Sequence, residues 1–176
     1  WIKARQAAKA APHETARQLL NWKNDDNYGF CHQIERNAVK AFNKAGLRAF
    51  AEVAQDEWAK ELAQVEVREK GDKMTPGSYR LRWLSDVLRA IYTQQGDPRQ
   101  YLAVAEEMGL TPKDCETLAE INEKKGDPEK ALSWVDRGIK LEQEGRWPNA
   151  SSWELPERKR RLLKQLGRGE DALESA

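Results

Sequence analysis

A glycine followed by an aspartate and a proline occurs twice in this chain, and that pair of corners limits the fold more than any other feature. Gln95-Gly96-Asp97-Pro98-Arg99-Gln100-Tyr101-Leu102 matches Lys125-Gly126-Asp127-Pro128-Glu129-Lys130-Ala131-Leu132 at a spacing of 30 residues. Leu166-Gly167-Arg168-Gly169-Glu170-Asp171-Ala172-Leu173 is a looser third copy, 41 residues further on. Each of the first two corners both ends and begins a helix. Glycine stops the last turn, the aspartate side chain accepts hydrogen bonds from the free N–H groups of the next helix, and proline fits the first helical position. A helical hairpin of this kind cannot bury its apolar face alone and must stack on its neighbours.

The rest of the chain also reads as helix, and no alternating strand pattern interrupts it. Pro12 opens a helix to about Trp22, and the polar stretch from Lys23 to Asn27 breaks it. Asp25 or Asp26 is then expected to cap a helix with Phe30, Ile34, Ala38 and Phe42 on one face, stopping at Gly46. A longer helix carries Leu47, Phe50, Ala54, Trp58, Leu62 and Val65 and ends near Gly71. Beyond the linker, Leu81, Leu84, Leu88 and Ile91 form one stripe, ending at Gly96, and Leu102, Ala105 and Met108 form the next, ending at Gly109. Thr111-Pro112-Lys113-Asp114 has the spacing of a capping box. The helix after Asp127-Pro128 runs through Leu141, and Trp147-Pro148 opens a loop to about Ser152.

The domain expectation is an N-terminal helical cap over 1–70, a linker over 71–77 and repeats over 78–176, divided 78–108, 111–145 and 154–176, in one continuous array. Apolar residues make up 39% and seven are tryptophans, enough for a core, and Trp22, Trp58, Trp83 and Trp134 are expected in it. Trp147 and Trp153 are read as a surface contact or an end cap. The chain opens at Trp1 without a methionine and ends inside a helical pattern, so a fragment of a longer protein is expected.

The corners resemble those of the tetratricopeptide repeat, whose period is about 34 residues. The middle copy fits best: Leu118, Ala119, Gly126, Ala131 and Val135 fall at that family's packing positions, while Asn122 replaces a usual aromatic and Gly138 a usual alanine. Tyr101 occupies the small-residue position of the first copy. The resemblance implies an all-α fold of antiparallel helical hairpins, stacked as a divergent right-handed solenoid. From about Leu19 to Ala172 the chain also resembles an uncharacterised bacterial family of helical-repeat proteins. The segment from Leu20 to His32, the Ala45-Gly46-Leu47 turn and Gly109-Leu110-Thr111-Pro112 carry that likeness. Some members of that family have a SWIM-type zinc finger upstream, whose cysteine-and-histidine cluster this chain lacks, and the resemblance brings no activity with it.

Charge narrows the function classes. Thirty basic residues against 29 acidic ones leave a net charge of +1, which argues against a dedicated nucleic-acid binder. No stretch approaches the roughly 18 apolar residues that span a bilayer, so no membrane partner is expected. The two distant cysteines, Cys31 and Cys115, read as reduced core residues, which fits a cytoplasmic location. Cys31 and His32 with Glu35 do not make a zinc site, which needs four ligands or three and a water. Nor do they have the orienting group and oxyanion hole of a nucleophilic site. No metal, cofactor or catalytic role is therefore expected, and chemistry in the 25–36 region is the least favoured reading.

Asp26, Tyr28, His32 and Arg36 form a candidate interaction patch, because that stretch is more varied than packing requires. The repeat resemblance implies a concave docking face that includes Trp83 and Asp86, then Lys113, Glu116 and Glu120, then Arg161 and Lys164. Its mixed charge predicts a polar, salt-sensitive protein or peptide partner. Arg158, Arg161 and Lys164 share a helix face and are candidate phosphate contacts. The plainer reading of that run is a solvated face with Leu162, Leu163 and Leu166 behind it. The leading expectation is a non-catalytic scaffold or interaction module, and the alternative is an accessory protein that binds nucleic acid through the basic helix around 158–168.

Overall fold

The computed structural model describes residues 1–26, 34–68, 76–144 and 154–168. Among them the chain is all-α, with nine helices and no strand. One compact unit, Trp1–Gln95, holds α1 (Ile2–Ala7), α2 (Pro12–Asn24), α3 (Ile34–Ala41), α4 (Lys44–Arg68) and α5 (Pro76–Gln95). A second, Gly96–Ala176, holds α6 (Pro98–Glu107), α7 (Pro112–Lys124), α8 (Pro128–Gln143) and α9 (Glu154–Gln165). No described helix is long and apolar enough to cross a membrane.

The corners of the second unit follow from their own residues. Gly96 and Gly126 adopt φ of 66° and 77°, the left-handed region that suits glycine. The Asp97 side chain accepts from the backbone N–H groups of Arg99 and Gln100, and that of Asp127 accepts from Lys130. Behind the second corner the Asp127 N–H returns to the Asn122 carbonyl at 3.0 Å, satisfying a helix-end acceptor. Gly167 starts the third corner in the same conformation (φ 74°), and residues 169–176 lie outside the described residues. The Thr111–Asp114 capping box is complete in both directions.

Between these corners Leu118, Ala119, Ala131, Val135, Leu155 and Leu162 form a buried core. Gly138, where the repeat resemblance expected alanine, has a steric reason. A Cβ there would lie 2.8 Å from Leu155 Cδ1 and 3.1 Å from Cys115 Cβ. Tyr101 is buried, and the apolar side of α6 is Tyr101, Val104 and Ala105 rather than the expected Leu102, Ala105 and Met108. Its hydroxyl donates to Asp114 Oδ1 at 2.9 Å, so the phenol is buried with its polar end paired. Asn122 is likewise buried and donates to the Leu118 carbonyl at 2.7 Å.

Side-chain contacts give the directions of these helices. Lys159 meets Asp136 at 2.8 Å and Arg168 meets Glu129 at 3.1 Å, so α9 runs antiparallel to α8. Glu154 meets Glu116, and Arg161 meets Glu123, so α9 runs parallel to α7.

The first unit packs α4 against α2 and α5, with α3 on α5. Phe50, Val53 and Ala54 of α4 are buried together with Leu19 and Leu20 of α2 and Leu84, Leu88 and Ile91 of α5. Here the structure departs from several sequence expectations. Asp25 is the residue that closes α2, and the start of the following helix, which Asp25 or Asp26 was expected to cap, lies outside the described residues. Phe30, Cys31 and the rest of 27–33 lie outside the described residues. The helix expected to run to Gly46 ends at Ala41, and Gly46 sits in the first turn of α4. The break is made by side chains. Asn43 Oδ1 accepts from the Gly46 N–H at 2.8 Å, as an N-cap does. Gln6 of α1, a helix the sequence reading did not anticipate, donates to the Ala41 carbonyl at 3.2 Å and accepts from the Asn43 N–H at 2.9 Å. Gly46 is required for space, since a Cβ would lie 2.5 Å from Phe42 Cδ1.

The tryptophans also differ from expectation. Trp22 is 40% exposed and meets Trp1, with ring centroids 4.4 Å apart. Trp58, Trp83 and Trp134 are half-buried at the edge of the core. Of the segment read as a linker, Pro76 and Gly77 open α5, and residues 71–75 lie outside the described residues, as do Trp147 and Trp153.

Candidate functional site

The polar residues singled out on α7 and α9 come together along a seam between these parallel helices. Lys113, 71% exposed, bonds Glu116 Oε1 at 2.9 Å. Glu116 itself is buried, so it does not belong to an exposed docking face. Its carboxyl meets that of Glu154, whose pKa is raised, first by the hydrogen bond with Glu116 and then by its negative charge. Glu120 stays 44% exposed and takes Lys124 at 2.6 Å. Further along, Glu123 receives both Arg158 at 2.9 Å and Arg161 at 2.7 Å. Arg158 is only 14% exposed, whereas Arg161 is 60% exposed. Lys164 is exposed, with no ion pair among the described residues. The surface left to solvent is therefore Lys113, Glu120, Arg161 and Lys164.

The basic run of α9 is largely matched by acids. Besides Arg158 and Arg161 on Glu123, Lys159 lies on Asp136, Arg160 on Glu157 at 3.0 Å, and Arg168 on Glu129. Glu123 was not among the expected site residues. The spacing could have revealed it: Glu116 to Glu123 is one heptad on α7, as Glu154 to Arg161 is on α9.

Trp83 lies in the first unit, in a cleft of about 310 Å³ among α2, α4 and α5. Arg80 lines it and reaches Glu57 at 2.7 Å, Glu61 at 2.9 Å and Asn24 Oδ1 at 2.6 Å. A hydrogen bond from Lys60, then the charges of Lys60 and Arg80, hold the Glu57 carboxyl below its ordinary pKa against the opposing effect of burial. His13 bonds Glu52 at 2.7 Å on the same rim. Neither Arg80 nor His13 was legible as a site residue, because their partners are 19 to 56 residues away and no local pattern links them. Asp86 is exposed on α5 and lies 3.4 Å from Arg89.

Of the 26–36 patch, Asp26 follows the end of α2 and Arg36 is exposed on α3, while Tyr28 and His32 lie outside the described residues. Among the described residues no group of three His, Cys, Asp or Glu side chains could hold a metal. Cys115 is buried, and burial, followed by the charge of Asp114, pushes its thiol up to about 11, so it carries no thiolate at neutral pH. Comparison of the chain with family models, with curated proteins and with solved structures gives no match.

Proposed function

We propose that the chain is a non-catalytic interaction module, built as a divergent tetratricopeptide-like right-handed solenoid, that docks a polar protein or peptide segment along the first helices of its hairpins. The observation that carries this reading is the parallel run of α7 and α9 with α8 antiparallel to α9. A right-handed array of hairpins repeats its first helices side by side in that way, and the four exposed charges of the seam then form one row. The row carries three cations and one anion, which suits a partner of mixed charge and gives a salt-sensitive interaction. A cytoplasmic location and kinship with the bacterial helical-repeat family belong to the same reading. Nucleic acid is the weaker reading, because Arg158, Lys159, Arg160, Arg161 and Arg168 are matched by Glu123, Asp136, Glu157 and Glu129, which leaves Lys164 alone of that run.

The test uses the whole chain and an array of short immobilised peptides of acidic, basic, mixed and apolar composition. Peptides of mixed charge should be retained, with binding that weakens as salt rises from about 0.05 to 0.5 M. Charge reversals at two exposed positions, Glu120→Lys and Lys164→Glu, should change which peptides are retained while the helical circular dichroism stays the same. Retention no greater than that of an unrelated helical protein, or a preference unmoved by both reversals, would overturn the reading.

A further inference from the structure

The corner between α3 and α4 leaves a second cavity in the first unit, larger than the Arg80 cleft and different in kind. It measures about 810 Å³, within the range of small-molecule sites. Its floor is apolar: Val39, Phe42 and Leu47 are core residues whose edges face the opening. Its rim is cationic: Lys40, Lys44 and Arg48 all line it and all are exposed. No carboxylate is among the described residues that line it. Arg48 engages Glu52 through Nε at 3.4 Å and is still 80% exposed, so its terminal nitrogens remain on the solvent side. The carboxamides of Gln94 and Gln95, at the end of α5, complete the wall.

In the Arg80 cleft the carboxylates of Glu52, Asp56 and Glu57 are part of the lining, whereas the described lining here holds none and Glu52 reaches Arg48 from beside it. Three like charges on one rim repel one another, and an anion set among them relieves that repulsion. An apolar body attached to the anion would cover the edges of Val39, Phe42 and Leu47 and bring the hydrophobic effect to the same event. We propose that this cavity binds a small organic carboxylate with an aliphatic body, the head among Lys40, Lys44 and Arg48 and the chain on the apolar floor. The inference is independent of peptide docking, since none of these residues lies on the α7–α9 seam.

The experiment titrates the full chain with decanoate below its micelle concentration, by calorimetry and by chemical-shift perturbation. Decanol carries the body without the charge, and acetate carries the head without the body. Decanoate should bind about tenfold or more tighter than either, and the triple variant Lys40→Ala, Lys44→Ala, Arg48→Ala should weaken it by a similar factor. Added salt should weaken decanoate and leave decanol unaffected. Ala45→Trp, from an exposed position on the cavity wall, should block decanoate by filling the space. Equal affinity for decanol and decanoate, or a triple variant within about twofold of the parent with its circular dichroism intact, would overturn the proposal.

Discussion

One helix gives way to the next in two ways, and they depend on different distances in the sequence. At Gly96 and Gly126 everything needed lies within a few residues: a left-handed glycine, an aspartate cap and a proline in the first turn. Between Ala41 and Lys44 the only local device is the Asn43 cap, and the chain is also gripped by Gln6, 35 to 37 residues away. The first kind of corner is written into the local chain and forms with it. The second is complete only once α1 has docked. This difference explains why one half of the molecule was easier to read than the other.

Substitution at the two kinds of glycine is the strongest way to test that contrast. Gly46→Ala should destabilise by about 1–3 kcal/mol, because the new methyl meets the Phe42 ring in a packed corner. Gly126→Ala has open space around its Cβ, and should destabilise by about 1–2 kcal/mol through backbone strain alone. Urea denaturation of both variants measures the two effects. A Gly46→Ala protein as stable as the parent would mean that the α3–α4 corner yields easily, and the contrast would fail. Gln6→Ala comes next, at about 1 kcal/mol for two hydrogen bonds near the surface. Hydrogen exchange should localise its effect to the Ala41–Leu47 amides and leave those at Gly126 unchanged.

The smallest effect is a dependence on pH within the α7–α9 seam. The Glu154 pKa is raised in the folded chain by Glu116, so folding favours its protonated form. Its contribution is then fully present below the unfolded pKa and lost as pH rises through the higher, folded one. Asp127 and Glu57, whose pKa values are lowered by Lys130 and Lys60, act in the opposite sense and lose their contribution on acidification. A difference between variants isolates the seam. Glu154→Gln should be more stable than the parent at pH 7, and that advantage should shrink as pH falls towards the ordinary glutamate range. Thermal melts across that range measure it, and a constant advantage would show that the two carboxyls do not share a proton.

Much of the fold was legible wherever its cause was local. The capping box at Thr111, the corners, and the stripe of Leu81, Leu84, Leu88 and Ile91 all follow from neighbouring residues. Trp22 was expected in the core from its helical spacing, but periodicity cannot tell a core face from a half-open one, and Trp22 lies against Trp1 at 40% exposure. Tyr101 stands where the repeat places a small residue, and its partner, Asp114, sits on the next helix, beyond any local pattern. The seam was half legible. Lys113, Arg161 and Lys164 are exposed and Glu120 is half-exposed, whereas Glu116 is buried, because helix register alone does not show which side α9 will cover.

Asp114 has one further consequence. One of its oxygens holds Thr111 at the start of α7, and the other receives the hydroxyl of Tyr101 from α6. A single carboxylate thus keys the end of one rod to the flank of another, as a pin fixes the angle between two shafts. Turning α6 about its long axis would drag the α7 cap out of alignment, so the two cannot rotate separately without breaking a contact that neither could replace from solvent.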